Sequence, residues 1–539
     1  QGHGMAVEGT LHVNGVDALE RNRLLMTKCG YVEQYELFIG TMTVKEHLIF
    51  QAMLRLKASI SDSDRRARVE EVLWTMDLEK CQNTIIGVPG KLKGISGGEL
   101  KRLTFASVIL NDPKLLIVDE PTSGLDSHLA KSVVNIMKKL TDEGKTMITV
   151  IHQPTLEIYS SLDMISLLVN GKQAYFGDRT DTMEFFASSL QRPCPPNYNP
   201  AEYYLTQLSS NTNNGFVGKC IETFQHSSYN KSMIETIHHM NKISTQKSAT
   251  DEEPVELDFE SGFPRQMKWL LWRAFKAGSR NPVQTTDLLL KLLFPALTIS
   301  IIYFQSATMD TPQTVQNSNA IVQVVLMSIC TSNSFVVLAT LPNVMHVFIR
   351  ERKRYLYNTP AFYISKLIAD FPFFMTMPIL FITIVYWSVG FAATFKLYFL
   401  FCFVGVLATL ASVAFNHIFA AIMPSVDSAV SIALPFIETA MLFTGFMINN
   451  RSVPVYFKWF QYSTWYYYSY SAILLGIWKP VHNMTFCHST DYCFQTGAQV
   501  LDFYAIPDKL GFDVTMLVVL IAAYHVATYI LILIRLKRS

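Results

Sequence analysis

At 539 residues the chain is too long for a single hydrophobic core, and at least two domains are expected. Half of its residues are hydrophobic and only 16% are charged, well under the roughly 25% of soluble domains, which points to a membrane. The net charge of +2 gives no bulk electrostatic case for nucleic acid. None of the eight cysteines forms the CxxC pair that would suggest zinc.

In chain order, residues 1 to 30 read as short strands and turns, with Asn14-Gly15 as a hairpin-type turn. Gly30-Tyr31-Val32-Glu33-Gln34 then closes a strand pattern on a polar glutamine. Thr43 and Glu46 form a capping box that opens an amphipathic helix running to about Leu56. Ser96, Gly97, Gly98 and Glu99 stand at the start of a further helical pattern, with Leu100, Leu103, Ala106 and Leu110 on one face. Glycines there leave backbone N–H groups bare at a helix N-terminus, a ready anion site. Leu115 to Val118 is a continuous apolar run of the buried parallel-strand kind, and it ends in Asp119 and Glu120 before Pro121 stops it. A strand that delivers acids at its C-terminal end is how α/β nucleotide sites present a magnesium ligand and a residue that activates water. Ser123 to Asp126 reads SGLD, and a second β-rich run, Thr146 to Ile151, ends at His152.

The α/β pattern closes near Leu205, and residues 209–262, rich in Ser, Thr, Asn and Lys, read as a polar linker that is partly helical at best. Pro264 suits the first turn of a helix running to about Arg280. On it Arg265, Arg273, Lys276 and Arg280 fall on one side, with Met267, Leu270, Leu271, Ala274 and Phe275 opposite. Such a basic amphipathic helix is expected along the inner membrane surface, with Trp269 and Trp272 near the interface. Six stretches long enough for about 30 Å of hydrocarbon follow. They lie near 286–305, 319–341, 364–390, 397–423, 427–449 and 513–535. A loop from Val347 to Lys366 carries Arg350, Arg352, Lys353 and Arg354, and the C-terminus carries Arg535, Lys537 and Arg538. The positive-inside rule therefore puts both termini in the cytosol. The outer loop, 450–512, opens with an aromatic-rich stretch, Trp459 to Trp478, expected to dip back into the interface. It continues with Asn483-Met484-Thr485, a glycosylation acceptor pattern, and with Cys487 and Cys493, expected to form a disulfide in an oxidising compartment.

The order SGGE, apolar run plus DEP, SGLD, apolar run plus HQP resembles the ATP-binding cassette family. Signature loop Ser96 to Glu99, Walker B strand Leu115 to Glu120, D-loop Ser123 to Asp126 and switch histidine His152 fall in sequence, with Gln34 in the Q-loop position. Cassette first and membrane domain second, with a large final outer loop, resembles the G subfamily. Asn197 to Tyr204 is similar to its NPAD-type signature, and Glu46 to Ala52, Thr84 to Gly90 and Ser452 to Tyr456 look most like White-type transporters of eye-pigment precursors. Leu100 departs from the basic residue usual among relatives.

The resemblance implies an α/β nucleotide-binding domain over 1–208, the linker, a connecting helix at 263–281 and an all-α six-helix transmembrane domain over 286–535. It implies half-transporters that pair as homodimers or heterodimers across two ATP molecules. Asp119 would hold Mg2+, with Gln34 beside it. Glu120 would polarise the attacking water, and His152 would sense the γ-phosphate. Ser96 with the Gly97 and Gly98 amides would grip that phosphate from the partner side, with Glu99 and Asp126 closing the composite site. The substrate cavity is expected between the second and fifth spans, at Asn333, Phe335 and Val336 in one and Phe436 and Glu438 in the other. Phe446 and Met447 take the place of the hydrophobic outer plug. Small planar precursors are favoured as substrate, with sterols, other lipids and xenobiotics as alternatives. No GxxxxGK[ST] phosphate loop occurs in the 539 residues, and Gly87 to Lys91 has neither its spacing nor a following Ser or Thr. The chain is therefore expected to be N-terminally incomplete and, alone, without magnesium-ATPase activity. A second functional class follows from the same gap: an ATPase-silent subunit acting only by pairing with another half-transporter.

Overall fold

The computed structural model describes residues 9, 12–13, 16–17, 29–34, 37–88, 90, 92–209, 214–247, 259–280, 282–308, 313–392, 394–484 and 494–538. The chain divides into two units, Gln1–Ser261 and Gly262–Ser539.

In the first unit, β1 (His12–Val13) and β2 (Val16–Asp17) pair antiparallel; Asn14 and Gly15, read as a turn, lie outside the described residues. The site is built on a parallel sheet of β3 (Cys29–Val32), β4 (Leu115–Asp119) and β5 (Thr146–Val150), in the order β3-β4-β5. The register sets Tyr31 opposite Ile117 and Asp119 opposite Val150. Helices α1 (Val44–Arg55), α2 (Asp62–Thr75), α3 (Gly97–Ile109) and α4 (Ser127–Asp142) surround it. The capping box at Thr43 and Glu46 is complete, so α1 starts where the sequence places it. Arg65 of α2, fully buried, donates to the Met53 carbonyl at 2.6 Å and the Lys57 carbonyl at 2.6 Å. A cation thus satisfies the Met53 carbonyl in the last turn of α1 and ties it to the turn that follows at Lys57.

Beyond α5 (Leu156–Ser160), the strands β6 (Met164–Val169) and β7 (Lys172–Asp178) form an antiparallel pair. They pack with α6 (Arg179–Glu184) and α7 (Pro200–Ser209) around Tyr175, Phe185, Phe186 and Tyr204. The polar stretch after 209 is not a linker throughout. Residues 214–226 form α8 and 228–247 form α9, and Cys220 and Phe224 of α8 are buried in this same aromatic cluster. With Val217 also buried, one apolar face seats a helix whose overall composition is polar, because packing of that face outweighs composition.

In the second unit α10 (Phe263–Ser279) starts with Pro264 in its first turn, as expected. Its faces differ from the sequence reading. Gln266, Trp269, Leu270 and Arg273 are buried, while Phe275, assigned to the apolar side, is 51% exposed. Arg273 donates to both carboxylate oxygens of Glu351, at 2.7 and 2.8 Å, and to the Tyr357 hydroxyl at 3.2 Å. The buried carboxylate explains the reversal, since it gives the guanidinium a bidentate partner inside the packing.

The helices that follow are α11 (Pro282–Ile302), α12 (Gln313–Lys353), α13 (Thr359–Val389), α14 (Phe395–Ile422) and α15 (Val426–Leu442). After them come α16 (Lys458–Tyr462), α17 (Trp465–Trp478), α18 (Gly497–Phe503) and α19 (Leu510–Arg538). By length and composition α12, α13, α14 and α19 could cross a membrane, and Leu290–Ile302 is a shorter apolar helix. The 17 residues of α15 reach about 25 Å, because the chain turns at Gly445, with φ +98°. Arg350, Arg352 and Lys353, assigned by sequence to a loop, ride on the end of α12. That helix continues through Pro342 and stops only near Tyr355, with φ +54°. The aromatic stretch also departs from expectation. Every residue of α17 except Gly476 is buried, and the helix packs against α12, α14 and α19 inside the bundle. Its Trp478 indole N–H finds the Asn319 amide oxygen at 2.7 Å and its Ser471 hydroxyl finds Asp513 at 2.7 Å, which lets a polar-edged aromatic helix be buried.

Candidate functional site

Asp119 ends β4, and the parallel register brings it level with the end of β5. Glu120, the next residue, lies at φ +42°, a left-handed conformation unusual for a residue with a side chain. Its amide donates to the Val150 carbonyl at 3.1 Å. The turn is therefore held by the sheet, and it aims the second carboxylate away from the strand direction. Gln34, just past the end of β3, donates from its amide nitrogen to Glu120 at 2.6 Å and lies 3.5 Å from the Ser123 hydroxyl. The Tyr31 hydroxyl donates to Asp119 at 3.3 Å. Residues separated by 86 and 88 positions in sequence thus converge at the C-terminal edge of one parallel sheet. That is the edge at which open α/β sheets bind ligands.

The signature turn is a complete capping box. The Ser96 amide and hydroxyl both approach the Glu99 carboxylate at 2.8 Å, and the Glu99 amide donates to the Ser96 hydroxyl at 3.3 Å. Partial burial opposes the charge on Glu99. The hydrogen bonds from Ser96 and from the Cys81 thiol, with Arg102 nearby, outweigh it and hold the carboxyl below its ordinary range. The Cys81 thiol is pushed up to about 11 by burial and by the Glu99 charge. Gly97 is exposed, whereas Gly98 is buried. A Cβ on Gly98 would stand 2.8 Å from Leu129 of α4. Gly98 is thus also needed for the close approach of α3 and α4. Asp126 caps α4, accepting from the Leu129 amide at 2.8 Å. His152 is exposed just beyond β5.

The second unit places α12 and α15 in contact. Asn333 is buried, its amide nitrogen donating to the Ile329 carbonyl at 2.7 Å while its amide oxygen has no partner. Phe335 and Val336 are half-buried, and Glu438 is exposed on α15 beside Phe436, itself 44% exposed and 5.3 Å from Phe419. Phe446 stacks on Tyr504 at 6.5 Å, and Met447 is 53% exposed. Asn483 is exposed, and Cys487 and Cys493 lie outside the described residues.

The ABC transporter family model matches residues 1–123 and the ABC-2 type transporter model residues 265–478. Protein white of Ceratitis capitata is 34% identical over 537 residues, covering 98% of this chain and 78% of that protein. Protein white of Drosophila melanogaster is 35% identical over all of this chain and 78% of its own length. The ABC transporter ATP-binding protein/permease wht-1 of Caenorhabditis elegans is 32% identical over 98% of this chain and 81% of its own. The chain belongs to the White-type half-transporters of the ABC transporter G subfamily. It is accordingly an ATP-hydrolysing membrane transporter.

For a White-type transporter the donor set suits magnesium. Two carboxylates and a carboxamide are hard oxygen donors, and magnesium takes one or two carboxylates and completes its shell with phosphate and water. Among the described residues no cluster of three or more His, Cys, Asp or Glu side chains could hold a metal by itself. Sequence reasoning missed the Arg273–Glu351–Tyr357 cluster and Lys101, whose ammonium donates to the Gln34 carbonyl at 2.5 Å.

Proposed function

We propose that the protein is an ATP-driven exporter, or vesicle loader, of a small hydrophobic or planar molecule, acting as a homodimer or as a heterodimer with another G-type half. The reading rests on the Gln34–Glu120 bond of 2.6 Å at the sheet edge, beside Asp119 and within one chain with apolar helices. Asp119, with Gln34, would hold Mg2+, which neutralises phosphate charge when bound. Glu120 accepts a proton from, or polarises, water that Gln34 helps to orient. The Gly97 amide and the Ser96 hydroxyl, released from Glu99, bind the partner-side phosphate. His152, exposed at the end of β5 beside Glu120, contacts the γ-phosphate of the chain's own site, and Asp126 holds the D-loop by capping α4. Arg273 and Glu351 carry movement between α10 and the cytosolic end of α12. Both termini are cytosolic, and Asn483 on the outer loop carries glycan.

The cavity faces of α12 and α15 supply apolar contacts through Phe335, Val336 and Phe436, while Asn333 and Glu438 supply the polar ones. An acid within a membrane is costly unless it faces protein or water, so Glu438 lines the cavity. Phe446 and Met447 close its outer end. Uptake of radiolabelled tryptophan derivatives and purines into inside-out vesicles tests this reading. Uptake is expected to require ATP and to be lost in Glu120→Gln. ATP-independent uptake equal in both proteins would overturn it.

A further inference from the structure

The signature helix α3 carries two contacts that point in different directions. Its N-terminus, Ser96 to Gly98, presents the groups proposed above to serve the ATP held by the partner chain. One turn further on, the Lys101 ammonium donates to the Gln34 carbonyl at 2.5 Å. Gln34 in turn donates from its side chain to Glu120 at 2.6 Å. Lys101 and Gln34 are 67 residues apart in sequence, and both are partly buried. Two hydrogen bonds therefore join the helix that serves one ATP site to the carboxylate that polarises water at the other.

The first of these bonds involves an ammonium, and charge-assisted bonds are the stronger class. It ends on a backbone carbonyl, so it fixes the peptide of Gln34 while leaving the carboxamide at liberty to reach Glu120. A helix of 13 residues moves as one body. Any displacement of its N-terminus on engaging phosphate is delivered to the Lys101 side chain. Gln34 lies just past the end of β3, before the chain leaves the sheet, so its peptide is the part of that segment able to respond.

We infer that Lys101 is a positioning residue coupling the two ATP sites of the dimer. Engagement of the signature loop at one site sets Gln34, and through it Glu120, at the other. The inference rests on the dimeric ATP-driven reading above. Coupling of this kind is reciprocal and acts on binding as well as turnover.

The test is equilibrium binding of magnesium adenylyl imidodiphosphate to the full-length dimeric transporter in lipid nanodiscs, comparing wild type with Lys101→Met and Lys101→Arg. Wild type is expected to bind two nucleotides cooperatively. Lys101→Met removes the coupling factor of about 5 to 150 between first and second nucleotide, so its Hill coefficient falls to one while two nucleotides still bind. Lys101→Arg retains cooperativity. Lys101→Gln, which keeps a neutral donor, covers a failure of Lys101→Met to fold and is expected to reduce the Hill coefficient. Wild-type cooperativity in the Met or Gln variant, or a loss in Arg equal to that in Met, overturns the inference. Wild type binding no nucleotide would instead remove the ATP-driven reading, and it is recognisable from the wild-type curve alone.

Discussion

The two units hold their polar groups in opposite ways. At the cassette site Asp119, Glu120, Gln34, Ser96 and His152 are exposed or half-buried. Local backbone devices fix them: a strand end, a positive-φ turn and a capping box. In the membrane unit several polar groups are buried and hold one another. Arg273 grips Glu351 and Tyr357, and Ser334, Ser412 and Asn416 form a chain with contacts of 2.8 and 2.9 Å. A site that must admit water and nucleotide keeps its reactive groups accessible. A bundle with no water to satisfy polar atoms gains by pairing them with one another.

The contrast fails if residues of the first kind prove structural or residues of the second prove dispensable. The largest effect is expected at Glu120. Glu120→Gln in the dimeric transporter should lower ATP hydrolysis by about 10²–10⁴-fold with nucleotide binding retained, the range for loss of a positioned base. Turnover within a few-fold of wild type would remove Glu120 from that role.

Next comes the buried pair. Arg273→Met leaves the Glu351 carboxylate uncompensated, and such losses cost about 3–5 kcal/mol. Thermal unfolding of the purified transporter should show the change, and Arg273→Met combined with Glu351→Leu should recover most of it. Equal destabilisation in single and double variants would mean the pair is not the relevant unit.

Removing the signature cap is a smaller perturbation. Ser96→Ala is expected to cost about 0.5–2 kcal/mol in local stability, as loss of an N-cap does. Faster amide exchange across the first turn of α3, with little change elsewhere, checks it.

The smallest effect concerns acid. Glu99 titrates lower in the folded protein than in the unfolded chain. Its contribution is complete above the unfolded value and is lost as pH falls through the folded one. Exchange at the signature turn should therefore rise on acidification below the ordinary carboxylate range, and Glu99→Gln should abolish that dependence.

The same contrast explains what was legible in the sequence. The cassette motifs could be read because each is local: the Ser96–Glu99 box spans four residues, and the acids directly follow an apolar run. Arg273 was misassigned because a helical wheel groups it with Arg265 and Lys276, and only a carboxylate 78 residues away places it inside. The helices at 214–247 were hidden by polar composition, since only one face of α8, with Val217, Cys220 and Phe224 buried, reaches the core. The end of α12 was set too early because hydropathy ends with the apolar run while the helix continues past Pro342 into the basic residues. Burial of α17 depends on partners on α12, α14 and α19, which no window of its own sequence contains.

The length of α12, which runs on through Pro342, has a mechanical consequence. Its 41 residues make a rod about 60 Å long, roughly twice the thickness of the hydrocarbon layer. Such a rod behaves as a lever pivoting within the lipid. A 5° tilt about its midpoint would carry each tip through about 2.6 Å, the scale of a hydrogen bond. Its lower tip is clasped by Arg273, so a displacement too small to reorganise the packing around the pivot would be enough to make or break contacts at the far end.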